Sequence, residues 1–200
     1  IIPAVLPWLP DHYASDPRFR SILMPKNVEK SPAAIVAFEE SFKDRALNVD
    51  SDTTIAPDVV TKLALKMYSP AAGAALGHLT ASYRSDTWVT RRIDMEYRLA
   101  CYEVRAPQAP LGAVMCCCGA CAIYPRSALL SLLDIYQTDL FRGRPTDFGE
   151  DRDLTFVMLN AGDRTRNVPE AIVATLVPDT MKAYRREQVR CARSTFCDTL

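Results

Sequence analysis

The sequence predicts an α/β domain with a largely parallel, buried sheet. Three observations carry this: short apolar runs alternate with helical periodicities, acidic or glycine-rich loops punctuate them, and no heptad or repeat pattern runs through the chain. At 200 residues the chain is long enough for one domain with a real core and too short for two full ones. Apolar residues make up 48% and charged residues 24%, which excludes disordered, collagenous and coiled-coil classes. The 24 Lys and Arg balance the 24 Asp and Glu, so no overall field draws the chain to nucleic acid.

Residues 1–20 carry four of the 14 prolines and read as irregular. A strand is expected over 45–49, followed by the loop Asp50-Ser51-Asp52. Pro57 suits a first helical position, and Val59, Val60, Leu63 and Met67 continue that helix until Pro70. Ala74 to Ser82 reads as a strand. Asp86 is the expected cap of a helix whose Val89, Ile93, Ala100 and Val104 share a face. Residues 111–124 are apolar and read as extended. Their 14 residues fall short of the roughly 20 that a membrane-spanning helix needs. Further helices are expected over Ser127–Tyr136, Glu150–Asn160 and Asp179–Phe196, with a strand over Asn167–Val177.

Four features carry chemistry. Asp50 and Asp52, two apart after a buried strand, can both face a ligand at the strand's carboxyl end and hold a hard divalent cation, or they can form a solvated turn that caps the next helix. Glu150 and Asp151 open a helix, where one can accept a proton from a sugar hydroxyl, or where Asp147 and Glu150 simply form a capping box. Arg186, Arg190 and Arg193 share a helix face suited to phosphate oxygens or to solvent. Cys116, Cys117, Cys118 and Cys121 include one C-x-x-C, with neither His12 nor His78 near it in sequence. Small buried strand residues are the expected reading, and the odd total of seven cysteines suits a reducing compartment.

Taken in order, Asp50-Ser51-Asp52, the run Gly112 to Gly119, Phe148-Gly149-Glu150-Asp151-Arg152 and Val177-Pro178-Asp179-Thr180-Met181 resemble the processive inverting family 2 glycosyltransferases, which include hyaluronan, chitin and cellulose synthases. The resemblance is strongest to chitooligosaccharide synthases that build the backbone of nodulation signals. It implies a GT-A-type fold whose N-terminal strands are missing, within a single partial catalytic domain over 1–200, well matched over 45–200 and poorly over 1–44. It also implies transfer of N-acetylglucosamine from UDP-N-acetylglucosamine to a chitooligosaccharide acceptor, with Mg2+ or Mn2+ as cofactor and no nucleic-acid partner. Asp151 would be the general base, Asp52 the metal ligand, and Asp50 a nucleotide contact. Lys30, Cys118, Gly119, Glu150 and Arg190 would bind substrate. The resemblance further implies a cell-membrane location through segments absent from this chain, with the catalytic domain cytoplasmic.

Three departures stand out. The family's Gln-x-x-Arg-Trp reads Glu187-Gln188-Val189-Arg190-Cys191, so an aromatic sugar platform becomes a thiol and a neutral amide becomes an acid. Asn27-Val28-Glu29-Lys30-Ser31 stands where relatives carry Asn-x-Gly-Lys-Arg. Ala120 and Pro125 replace Pro and Arg. A non-catalytic sugar-nucleotide-binding remnant is therefore the alternative function.

Overall fold

In the computed structural model the described residues are 12–13, 15–22, 24, 30–69, 71–131, 140–141, 144–145 and 150–198. They belong to two compact units, Ile1–Glu40 and Ser41–Leu200. The first contains helix α1 (Lys30–Glu40) with buried Phe38. An exposed Arg20–Glu40 ion pair at 2.8 Å contributes little, because water screens both charges.

The second unit is built on a five-stranded sheet. In spatial order its strands are β1 (Arg45–Val49), β4 (Cys121–Pro125), β3 (Ala72–Ala81), β7 (Arg164–Thr175) and β2 (Thr53–Ile55). Short strands β5 (Leu140–Phe141) and β6 (Arg144–Pro145) pair separately. β3 is buried continuously from Ala72 to Leu79, as a central strand covered on both faces must be. On one side α2 (Val59–Lys66) and the residue after it lay Val59, Leu63 and Met67 against Ala75, Leu79, Ile123 and Val173. Another cluster joins Val89 and Ile93 of α3 (Trp88–Leu99) to Tyr184 of α5 (Met181–Asp198).

The sheet is mixed, which corrects the expectation of a mostly parallel one. Among the described strands only β3–β7 pair in parallel, because β4 is inserted antiparallel between β1 and β3, and β2 runs antiparallel to β7. Apolar runs report burial and carry no direction, so the sequence pattern could not distinguish the two cases. β1, β3 and β7 nevertheless point the same way. Their carboxyl ends meet the starts of the reversed strands, through the register pairs Val49↔Cys121 and Thr53↔Thr175. Three loops therefore converge on one edge of the sheet.

Several local expectations shift for physical reasons. Thr87, rather than Asp86, caps α3: its hydroxyl accepts from Thr90 N–H at 3.1 Å, and Thr90 Oγ1 in turn accepts from Thr87 N–H. α3 then passes into a π-helical turn, Ala100–Arg105, in which Ala106 N–H reaches back five residues to Cys101 O. The chain then returns to α-helical geometry over Ala106–Gln108, with Pro107 in the first turn, where its missing N–H is tolerated, and tightens to a 3-10 turn over Ala109–Leu111. The wider turn rotates the chain, so Val89 and Ile93 are buried while Val104 is exposed. Residues 111–120 form a mostly irregular segment in place of the expected extended one, and strand structure begins at Cys121. Residues 126–131 are helical, and the remainder of the expected Ser127–Tyr136 helix lies outside the described residues. α4 occupies Glu150–Asn160 as expected, with Gly162 beyond it at φ 90°.

Gly77 sits where the β3–β7 ladder shifts register, and a Cβ there would lie 2.6 Å from Ala171 O and 2.8 Å from Val173 Cγ2. Gly77→Ala should destabilise the domain by about 1–3 kcal/mol through overpacking against backbone. A lowered urea midpoint at constant slope is the expected result. An unchanged midpoint would mean that the two strands separate there without cost.

Candidate functional site

The acidic loop is held by its neighbours on both sides. Asn48 Nδ2 donates to Gly119 O at 3.1 Å and Asp50 N–H donates to Ala120 O at 3.4 Å, which ties the end of β1 to the loop preceding β4. Thr53 N–H closes the turn on Asp50 O at 3.0 Å. Asp52 Oδ1 accepts from Thr53 Oγ1 at 3.4 Å and from Thr175 Oγ1 at 3.3 Å, the latter from the end of β7. Asp50 is half-buried and Asp52 exposed. The helix-capping alternative does not hold: β2 intervenes, and α2 starts only at Val59 with Asp58 at its cap position.

The cysteine loop meets the start of α4. Cys117 is buried, and its N–H donates to Thr155 Oγ1 at 2.9 Å, while that hydroxyl donates to Asp151 O at 2.6 Å. Tyr124 OH donates to Cys117 O at 3.4 Å. One threonine thus fixes the first turn of α4 on the loop. Burial, with Cys118 next to it, pushes the Cys117 thiol up to about 12, and Asp151 is near enough to push in the same direction. Burial likewise drives Tyr124 well above its ordinary value, with Asp151 among the nearby groups adding to it. Cys118 lies in a loop, where it receives the Arg105 guanidinium at 2.7 Å, so the expectation of small buried strand residues holds for Cys121 and fails for Cys118.

α5 supplies the third side. Glu187 is half-buried, and burial raises its pKa; the like charge of Asp52 adds to the rise and Arg190 opposes it. The Cys191 thiol is raised mainly by burial, with Arg190 and Arg152 opposing and Glu187 and Cys118 reinforcing. Tyr97 is raised by burial and then by Glu187, Cys118, Cys191 and Asp52 in turn. Screened charges act on one another over roughly 10 Å, so Asp52, Cys118, Glu187, Arg190 and Cys191, with Asp151 and Arg152 of α4, lie in one neighbourhood.

Not every expected residue is gathered there. Lys30 begins α1 in the first unit, and Glu150 begins α4; the side chains of both lie outside the described residues, as does Asp147. Arg186 and Arg193 are exposed along α5; Arg190 is exposed too, but its charge acts on Glu187 and Cys191. Conversely, Arg105, Tyr97, Thr155 and Thr175 belong to the site without having been singled out from sequence. Pro107, in the first turn of the short helix that follows the widened turn, was a local signal next to Arg105.

The donor set suits a hard cation shared with a ligand. Among the described residues no three His, Cys, Asp or Glu side chains come together to cage a metal, and Asp52 offers one exposed carboxylate. Phosphate oxygens would have to complete the coordination, which is how Mg2+ commonly binds.

Residues 47–195 match the family model described as glycosyl transferase family group 2. The chain is 73% identical over 197 residues to an N-acetylglucosaminyltransferase of Sinorhizobium fredii, covering 98% of the chain and 48% of that protein. It is 64% identical over 187 residues to one of Rhizobium meliloti, covering 94% and 44%, and 52% identical over 189 residues to one of Azorhizobium caulinodans, covering 94% and 48%. The chain spans about half the length of the curated relatives it matches. A mannosyltransferase from Pyrobaculum calidifontis, solved with GDP-Man and Mn2+, has a similar fold, with a TM-score of 0.61 at 18% identity over 94% of this chain and 48% of that one. With a mixed sheet of GT-A type, acidic and cysteine loops meeting at one edge, and a family match over most of its length, this chain belongs to glycosyl transferase family group 2.

Proposed function

We propose that this chain is the catalytic part of an inverting N-acetylglucosaminyltransferase of the nodulation protein C type, which moves the sugar from UDP-N-acetylglucosamine to the 4-hydroxyl at the non-reducing end of a β-1,4 chitooligosaccharide. The observation that carries this reading is the convergence of the Asp52 loop, the first turn of α4 and α5 at one edge of the sheet. The similarity to rhizobial N-acetylglucosaminyltransferases supports the choice of sugar.

Inversion by single displacement needs a base opposite the leaving group and cationic stabilisation of the departing diphosphate. In this reading Asp151 takes the proton of the acceptor hydroxyl, Asp50 contacts the nucleotide, and Cys118 and Gly119 line the acceptor position. Asp52 holds Mg2+ or Mn2+, which when bound neutralises the diphosphate. Arg190 adds positive charge to the phosphates, Lys30 is the substrate-binding lysine that the family resemblance implies, and Glu150 borders the base. Membrane attachment, with this domain on the cytoplasmic side, is part of the same proposal and would reside in other segments; no helix among the described residues is long and apolar enough to cross a bilayer.

A specific observation favours a second reading, a binding remnant with little turnover. Glu187 brings an extra carboxylate toward Asp52, and Cys191 offers no aromatic face for a sugar. In a protein of the relatives' full length carrying this segment, radiolabelled UDP-N-acetylglucosamine should yield chitinase-sensitive oligosaccharide, and Glu187→Gln with Cys191→Trp should raise the yield. Product from neither version would leave the remnant reading. Equal yields would show that the two changes are harmless.

A further inference from the structure

Arg105 is half-buried, and its guanidinium is hydrogen-bonded to a sulfur atom. Its Nη2 donates to Cys118 Sγ at 2.7 Å, and a fixed positive charge in direct contact with a sulfur favours its thiolate. Cys116 lies two residues earlier in the same loop and is half-buried like Cys118, so both thiols sit on one short stretch of irregular chain. The π turn is what aims Arg105 at this loop, because it adds a residue to the helix just before Pro107.

We propose that Cys118 and Cys116 form a thiol modification site in which Cys118 is the nucleophilic thiolate toward a hydroperoxide and Cys116 resolves the product as a disulfide. The site does not depend on the glycosyltransferase reading. The Cys118 sulfur attacks one peroxide oxygen, the O–O bond breaks, and the departing hydroxide takes up a proton to leave as water. The resulting sulfenic acid is then attacked by the Cys116 sulfur, the S–O bond breaks and a second water leaves. Two thiols lose two electrons and two hydrogens, and hydrogen peroxide becomes two waters.

The groups that face Cys118 agree with this assignment. Cys116 and Arg105 favour its thiolate, while burial and Asp151 on α4 oppose it, and the net direction is downward from an ordinary thiol. Cys116 is pushed the opposite way by the neighbouring Cys118 sulfur and by burial, which suits a resolving thiol that stays protonated. Cys191 and Tyr97 also lie within reach, and both are raised. Cys116 and Cys118 are half-buried, open to a small oxidant, whereas Cys101, Cys117 and Cys121 are buried.

The test is peptide mapping by mass spectrometry of the purified chain. With stoichiometric hydrogen peroxide the peptide spanning both cysteines should lose two hydrogens, a change reversed by dithiothreitol. Cys116→Ser should instead give a dimedone adduct on Cys118. With limiting iodoacetamide near neutral pH, Cys118 should react about tenfold or more faster than Cys191, although Cys191 is the more exposed, because reactivity follows thiolate content. Arg105→Gln should erase that preference. The wild-type rate ratio decides the matter even if Arg105→Gln does not fold: reaction that follows exposure, with Cys191 ahead of Cys118, overturns the proposal.

Discussion

Asp151→Asn, in a protein of the relatives' full length carrying this segment, should lower sugar transfer by about 10²–10⁴ while UDP binding stays unchanged. The substitution keeps size and shape, and the contact that holds Asp151 in place uses its backbone carbonyl, which accepts from Thr155 Oγ1 at 2.6 Å. The start of α4 should therefore stay docked on the cysteine loop, leaving loss of the base as the main change. Glu150→Gln should do less harm in the same assay. Undiminished transfer by Asp151→Asn would remove it from the role and pass the candidacy to Glu150. Loss of both transfer and UDP binding would indicate that Asp151 shapes the nucleotide site rather than acting as base.

Asp52→Asn should weaken cation-dependent UDP binding by at least tenfold, about 1.4 kcal/mol, with the weaker binding independent of added chelator. The carboxylate also acts on a neighbour. Asp52 is one of the charges that raise Glu187, so its neutralisation should lower the Glu187 pKa, with burial still holding it up and Arg190 still opposing. Titration calorimetry with and without chelator reads the first effect, and carboxyl NMR of Glu187 reads the second. Unchanged binding would reduce the acidic turn to the structural role already visible in its bonds to Thr53 and Thr175.

Elements specified by nearest neighbours were legible in the chain itself. β1 at Arg45–Val49 and α4 at Glu150–Asn160 fall where alternation and helical spacing put them, and β3 lies where the small apolar run does. The Asp50-Ser51-Asp52 turn and the acidic start of α4 could be located in the chain for the same reason, although carboxylates at such element ends serve turn and helix-start structure as readily as chemistry.

Tertiary structure decided what depends on partners far along the chain. The reversed direction of β4 rests on pairing with β1, more than 70 residues earlier, and the anchoring of Asp52 rests on Thr175, 123 residues later. The widened turn after α3 swings Val104 into solvent and Arg105 onto Cys118, although local periodicity continues the helix face through both. Local pattern reports which residues avoid water. Strand direction, which strand ends meet, and which thiol the Arg105 guanidinium finds are settled only when the sheet closes around them, because those contacts join segments that propensity and periodicity treat independently.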